Sequence, residues 1–244
     1  MITDNEKMHP AHDNAREARK MLRTHRYGVL CTLSKKFDGH PFGSITPYLV
    51  EHDGSLLIFI SDLAEHTKNI RNDPRVSLIT HNQEDPRIQT QGRVTVVGSA
   101  AHVSERDVAA KRYLRYFPET QSYLGMHDFQ FYRIMPQAIR YIGGFGNIHW
   151  VKVEHYGVAP YPLISDEDSL LDELNASRSP AHGNLIGIDC DGYDIRREER
   201  WQRVNFAGTA LDVVQARHAL ARPENQPAED WGASPVDTAA APRK

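Results

Sequence analysis

Residues 27–61 read YGVLCTLSKKFDGHPFGSITPYLVEHDGSLLIFIS, and the period of this stretch decides the fold. Three runs rich in β-branched and aromatic residues, Tyr27 to Ser34, Gly43 to Glu51 and Ser55 to Ser61, are separated by the turn signals Lys36-Phe37-Asp38-Gly39 and His52-Asp53-Gly54. Such runs, joined by short glycine-bearing turns, predict an antiparallel meander.

Upstream of the meander, Asp4 is placed to cap a helix through about His25. Its Met8, Ala15, Ala18, Met21 and Leu22 form a thin apolar stripe amid charge, which suits a surface or interface helix. Downstream, a helix is expected from Leu63 to Asn72. Asp62 stands as N-cap with Glu65 at capping-box spacing, and Asp73-Pro74 ends the helix. Strands resume at Val76 to His81 and Ile88 to Val103. Ser104 caps a helix to about Phe117, and Phe129 to Val153 returns as two strands broken at Gly143-Gly144. About six strands with helices only at the edges suffice to close a small barrel. The expected organisation is an N-terminal helix over 1–26 and a mainly β, α+β barrel domain over 27–158.

Pro160 and Pro162 mark a linker. Beyond it Ser165 and Asp168 start a helix carrying Leu170, Leu171 and Leu174 on one face. Leu185 to Ile188 and Tyr193 to Ile195 flank Asp191-Gly192 as a hairpin, Arg200 to Phe206 supplies a third strand, and Leu211 to Ala221 is a last helix. This makes a small C-terminal α/β domain over 163–222. The tail over 223–244 has few large apolar residues besides Trp231 and is expected to be mobile.

Composition narrows the function. The 244 residues carry a formal net charge of -3 with no basic stripe, against general nucleic-acid binding, which depends on clustered Lys and Arg. Cys31 and Cys190 lie too far apart in sequence for a CxxC knuckle or a disulfide framework, Cys31 reading as a buried inert thiol. No apolar run approaches the roughly 18 residues of a membrane span, and no signal-like segment opens the chain, so a cytoplasmic protein is expected. HExxH, GxSxG and P-loop patterns are absent.

Three motifs occur in one order: Pro41-Phe42-Gly43-Ser44-Ile45-Thr46-Pro47-Tyr48, Ser61-Asp62-Leu63-Ala64-Glu65-His66-Thr67-Lys68-Asn69, and Ile142-Gly143-Gly144-Phe145-Gly146. The series resembles the pyridoxamine-phosphate-oxidase-related FMN-binding split barrel, and within it the haem-utilisation (HugZ/HutZ-type) branch. The segment Gly187 to Arg196 resembles the small domain that often follows such barrels. The resemblance implies a six-stranded split barrel and a homodimer with two interface cofactor sites, filled by FMN or, in the haem-utilisation branch, by haem. It does not name a substrate.

Candidate cofactor residues follow from the motifs. Ser44 and Thr46, two apart on a strand, project from the same face, where both hydroxyls can meet one phosphate. Ser61 ends a strand, and the first helical turn after it offers His66, Thr67 and Lys68. The oxidases carry an Arg-Lys pair where this chain has His66-Thr67, and Gln where it has Arg93, so Arg93 stands to restore part of the missing charge. Phe145, Asn147 and Trp150 beside the double glycine suit a wall for a flat ring. His66 is the nearest acid–base candidate. His149, His155 and His182 are the haem-ligand candidates. Where relatives open the appended domain with roughly His-Met-Asn-x-Asp-His, this chain reads Glu173-Leu174-Asn175-Ala176-Ser177-Arg178, without either histidine. Three readings stay open: an FMN-dependent redox protein, a haem-binding or haem-degrading protein, and a cofactor-free dimeric sensor or interaction module.

Overall fold

The computed structural model describes residues 10–82, 85–159, 161, 163–179, 182–222 and 227. The chain divides into two compact units, Met1–Tyr161 and Pro162–Lys244. In the first, helix α1 (Pro10–Thr24) leads into strands β1 (Tyr27–Leu33), β2 (Pro41–Pro47), β3 (Leu49–Val50) and β4 (Leu56–Ser61). Helix α2 (Glu65–Asn72), strands β5 (Arg75–His81) and β6 (Arg93–His102), and helices α3 (Arg106–Tyr116) and α4 (Gln121–Leu124) follow. Strands β7 (Phe129–Ile142) and β8 (Ile148–Val151) and the short helix α5 (Val153–Tyr156) complete the unit.

These strands form one eight-stranded sheet in the order β2-β1-β5-β6-β7-β4-β3, with β8 also paired to β7. The expected run from Gly43 to Glu51 is cut at Tyr48, and this cut curls the sheet. β2 pairs with β1 at one end of the order while β3 pairs with β4 at the other. Only Tyr48 separates them in sequence, so the two ends of the sheet are drawn together into a split barrel. Tyr48 is buried at this corner; its amide donates to the Arg26 carbonyl and its hydroxyl to the Leu22 carbonyl, each at 2.9 Å.

Strand alternation sets two faces. In β1, Gly28, Leu30 and Thr32 turn inward while Tyr27 and Val29 are exposed; in β6, Val94 and Val96 turn inward. The inner residues Leu30, Ile58, Leu78, Val96, Ile134 and Ile139 join Leu22 of α1 in one core, where each buried aliphatic side chain contributes about 1.5–3 kcal/mol. Pro136 sits inside β7 without a ladder N–H. The register shifts between Val97 and Gly98 opposite it, and a Cβ on Gly98 would lie 2.2 Å from the Met135 carbonyl oxygen, so glycine permits this close crossing.

In the first unit two helix caps differ from the sequence reading, and in the second two helices begin at Glu167 and Val213, two residues after Ser165 and Leu211. α2 begins at Glu65, with Ala64 as N-cap and no side-chain cap. The Asp62 amide instead donates to the Asp128 carbonyl at 2.6 Å, and its carboxylate pairs with Arg71. An aspartate engaged at both ends does not cap. Likewise α3 begins at Arg106 after Glu105, and Ser104 offers only its carbonyl to the Arg106 amide. Asp4 and Met8 lie outside the described residues.

The second unit holds α6 (Glu167–Ala176), β9 (Asn184–Asp189), β10 (Gly192–Arg197), β11 (Arg200–Asn205) and α7 (Val213–Ala221). Its three-stranded antiparallel sheet runs β11-β10-β9 over a core that includes Leu170, Ile188, Tyr193, Ile195 and Phe206. The Asp212 carboxylate accepts from the Gln215 amide at 2.7 Å and caps α7. The tail over 223–244, with Trp231, lies outside the described residues apart from Pro227.

Candidate functional site

Ser44 and Thr46 both turn to the inner side of β2, where Ser44 reaches α2. There the Ser44 hydroxyl meets His66 Nδ1 at 3.0 Å. Burial lowers the His66 pKa, so the ring is neutral near pH 7 and carries no fixed positive charge. The other hydroxyls of this corner are engaged within the chain. Thr46 Oγ1 donates to the Pro47 carbonyl at 3.3 Å, and Thr67 Oγ1, fully buried, donates to the Ser61 carbonyl at 2.6 Å. Ser61 Oγ donates to Asp128 Oδ2 at 2.9 Å and accepts from the Leu63 amide at 3.1 Å. Lys68 pairs with Glu65 at 2.8 Å on the outside of α2. A phosphate here would find one hydroxyl and one neutral imidazole, and would compete for the rest.

The outward face of the same sheet has a different chemistry. Reading across the strands, Ile45, Val29, Ile79, Thr95, Arg140 and Trp150 are successive cross-strand neighbours. The adjacent row runs His81, Arg93, Ile142 and Ile148. Ile45 is 72% and Trp150 64% exposed, with Tyr27, Val29, Val97 and Ile148 also open. This is more apolar surface than a strand face in water ordinarily carries. The Arg140 guanidinium stacks on the Trp150 ring at 5.1 Å from its centroid, and Arg93 Nη1 donates to the Ile88 carbonyl at 3.2 Å. The result is a flat apolar field flanked by two arginines. Cys31, expected to be buried, is half-buried and shares this face, because odd positions of β1 turn outward.

Arg93 therefore stands on the opposite face from Ser44 and Thr46, and the candidate residues do not meet in one pocket of a single chain. The double glycine forms the β7–β8 turn. The Gly143 amide donates to the Asn147 carbonyl at 2.9 Å, and a Cβ on Gly143 would lie 2.5 Å from both Asn147 Nδ2 and the Tyr141 hydroxyl oxygen. Phe145, at the tip, is 93% exposed. Asn147 Oδ1 meets His149 Nε2 at 2.7 Å, so that nitrogen is engaged. His155 is half-buried on α5, and His182 is exposed in the second unit.

Two residues of the outer face, His81 and Arg140, escaped the sequence reading. Alternation in Val76 to His81 was the available signal, since it turns Ser77, Ile79 and His81 to one side. Among the described residues one buried group of metal-ligating types occurs, Asp189, Cys190 and Asp191. Both Asp189 oxygens accept from Arg203, at 2.7 and 2.8 Å, which gives that carboxylate a structural counter-ion. No helix among the described residues is long and apolar enough to cross a membrane.

A family model described as CREG, β-barrel, matches residues 9–157, more than half of the 244-residue chain. The chain belongs to the CREG β-barrel family. This CREG-type barrel is 36% identical over 166 residues to the chloroplastic non-canonical haem oxygenase HOZ of Arabidopsis thaliana. That match covers 65% of this chain and 51% of the relative, so the chain spans about half the length of the curated relative it matches. Among solved structures, the Agrobacterium tumefaciens protein Atu2129, of unknown function, superposes with a TM-score of 0.73 at 26% identity, covering 91% of this chain and 98% of its own. A haem-binding protein from Mycobacterium smegmatis superposes with a TM-score of 0.56 at 25% identity, covering 84% of this chain and 93% of its own.

Proposed function

We propose that this CREG-type barrel binds haem against the outer face of its sheet and acts in haem utilisation or breakdown. The observation that carries the reading is the row from Ile45 to Trp150, an apolar plane with Arg140 in it and Arg93 beside it. A porphyrin needs a broad apolar contact for its ring and cations for its propionates, and this face offers both. Trp150, already stacked with Arg140, supplies an aromatic edge, and Val29, Ile45 and Ile79 keep water from the ring plane. Bound haem would supply the iron at which oxygen chemistry occurs. The named functions of the Arabidopsis relative and the mycobacterial neighbour support the reading. The partner in this reading is a second copy of the chain, which covers the exposed side chains of the face and completes the site.

FMN is the second reading, favoured by the Ser44–His66 contact and by the motifs quoted above. Titration of the purified protein with hemin and with FMN, followed by absorbance, tests both. A saturable Soret shift is expected with hemin. Flavin bands retained through gel filtration, with no hemin response, overturn the haem reading in favour of FMN. A colourless protein that binds neither leaves an interaction module.

A further inference from the structure

On the outer face, His81 at the end of β5 presents its ring beside Arg93. Its Nδ1 is in close hydrogen-bond contact with Oε1 of Gln91, a residue 4% exposed and therefore fixed. An amide oxygen only accepts, so the proton of the neutral ring belongs on Nδ1. That leaves the Nε2 lone pair as the available base. A histidine whose far nitrogen is anchored in this way, to an acceptor that sets tautomer and orientation, has the arrangement of an iron or zinc ligand.

The surroundings agree. The Asn82 amide donates to the Gly92 carbonyl at 2.9 Å, which holds the ends of the intervening loop and so the distance between ring and anchor. Two residues back on the same strand is Ile79, paired with Val29 and Thr95 in the apolar row. His149 lies between Ile148 and Trp150 on β8 and pairs with Tyr141, so alternation turns it away from the outer face.

We infer that His81 is the axial ligand of the bound haem, through Nε2, and that Gln91 is the positioning residue that holds it there. This inference rests on the haem reading above.

The test is a hemin titration of the full chain, wild type, His81→Ala, Gln91→Leu and His149→Ala, read by Soret position, electron paramagnetic resonance and resonance Raman. His81→Ala should lose the wild-type ferric spectrum and regain a nitrogen-ligated one on adding imidazole. Gln91→Leu should bind hemin about 10-fold more weakly, and Gln91→Glu should keep binding while raising the iron–histidine stretching frequency. His149→Ala should leave the spectrum unchanged. A His81→Ala protein that binds hemin with the wild-type spectrum overturns the assignment, as does an iron–histidine frequency that ignores residue 91. Wild type that takes up no hemin overturns the haem reading itself, a distinct result. Circular dichroism and the imidazole response separate ligand loss from misfolding.

Discussion

The Tyr48 hydroxyl donates to the Leu22 carbonyl across 2.9 Å, tying the last turns of α1 to the corner at which β2 becomes β3. Burial holds this phenol well above its ordinary pKa, so it remains a donor at any working pH. Tyr48→Phe keeps the ring and leaves a buried carbonyl acceptor without this donor. It should cost about 1–3 kcal/mol in urea unfolding at unchanged slope. An unchanged midpoint would show that the corner does not depend on this bond.

Ile45 is 72% exposed at the β2 end of the outer row. If a second copy covers this face, Ile45→Lys should shift the sedimentation coefficient to that of a monomer and lower hemin uptake together. A wild type already monomeric at micromolar concentration removes the interface site.

The Ser44–His66 corner lacks a permanent cation, since burial keeps His66 neutral. His66→Arg should strengthen FMN binding about 10-fold, the gain of one charge-assisted hydrogen bond to phosphate, while leaving the hemin titration unaltered. FMN binding by the wild type should also tighten as pH falls and His66 takes up a proton. Equal FMN affinities for wild type and His66→Arg would show that no phosphate lies at this corner.

His25 gives a signed pH dependence. Its pKa falls from 6.5 to about 4 in the folded chain, mainly by desolvation and then by His81. Between those values the unfolded chain binds a proton that the folded chain refuses, so stability is retained above 6.5 and lost as pH drops toward 4. Denaturation midpoints measured across that window should decline less steeply in His25→Gln.

In the second unit Arg203 is 2% exposed and bonds two buried carboxylates, Asp189 at 2.7 Å and Asp194 at 2.9 Å. Arg203→Ala leaves both without this counter-ion and should destabilise that unit by about 3–5 kcal/mol. Limited proteolysis should then cut within the second unit first, leaving a fragment near Met1–Tyr161.

The strands were legible because alternation is local: Tyr27 to Ser34 and Val76 to His81 announce their faces within six or seven residues. The β7–β8 turn was legible from Gly143-Gly144 for the same reason. What failed was what depends on distant partners. Asp62 has a capping residue's chemistry, but Asp128 holds its amide and Arg71 its carboxylate, which no local window contains. The cut at Tyr48 reflects two strands competing for one run. The site divides the same way: Ser44 beside His66 follows from two motifs the sequence displays. Placing Arg93 across from His81, on the face opposite Ser44, requires the register of β5 against β6 and of β1 against β2.

β7 lies between β6 and β4, pairing with β4 through Phe129–Ile134 and with β6 from Tyr132 to Ile142. During synthesis, every strand before it emerges first, and β4 and β6 each wait with one unsatisfied edge until residues 129–142 leave the ribosome. The barrel is thus a late-closing fold, whose two open edges are templates for intermolecular pairing in the interval. Premature termination just short of β7 should yield an insoluble product, and slow translation across that boundary should raise the demand for chaperones.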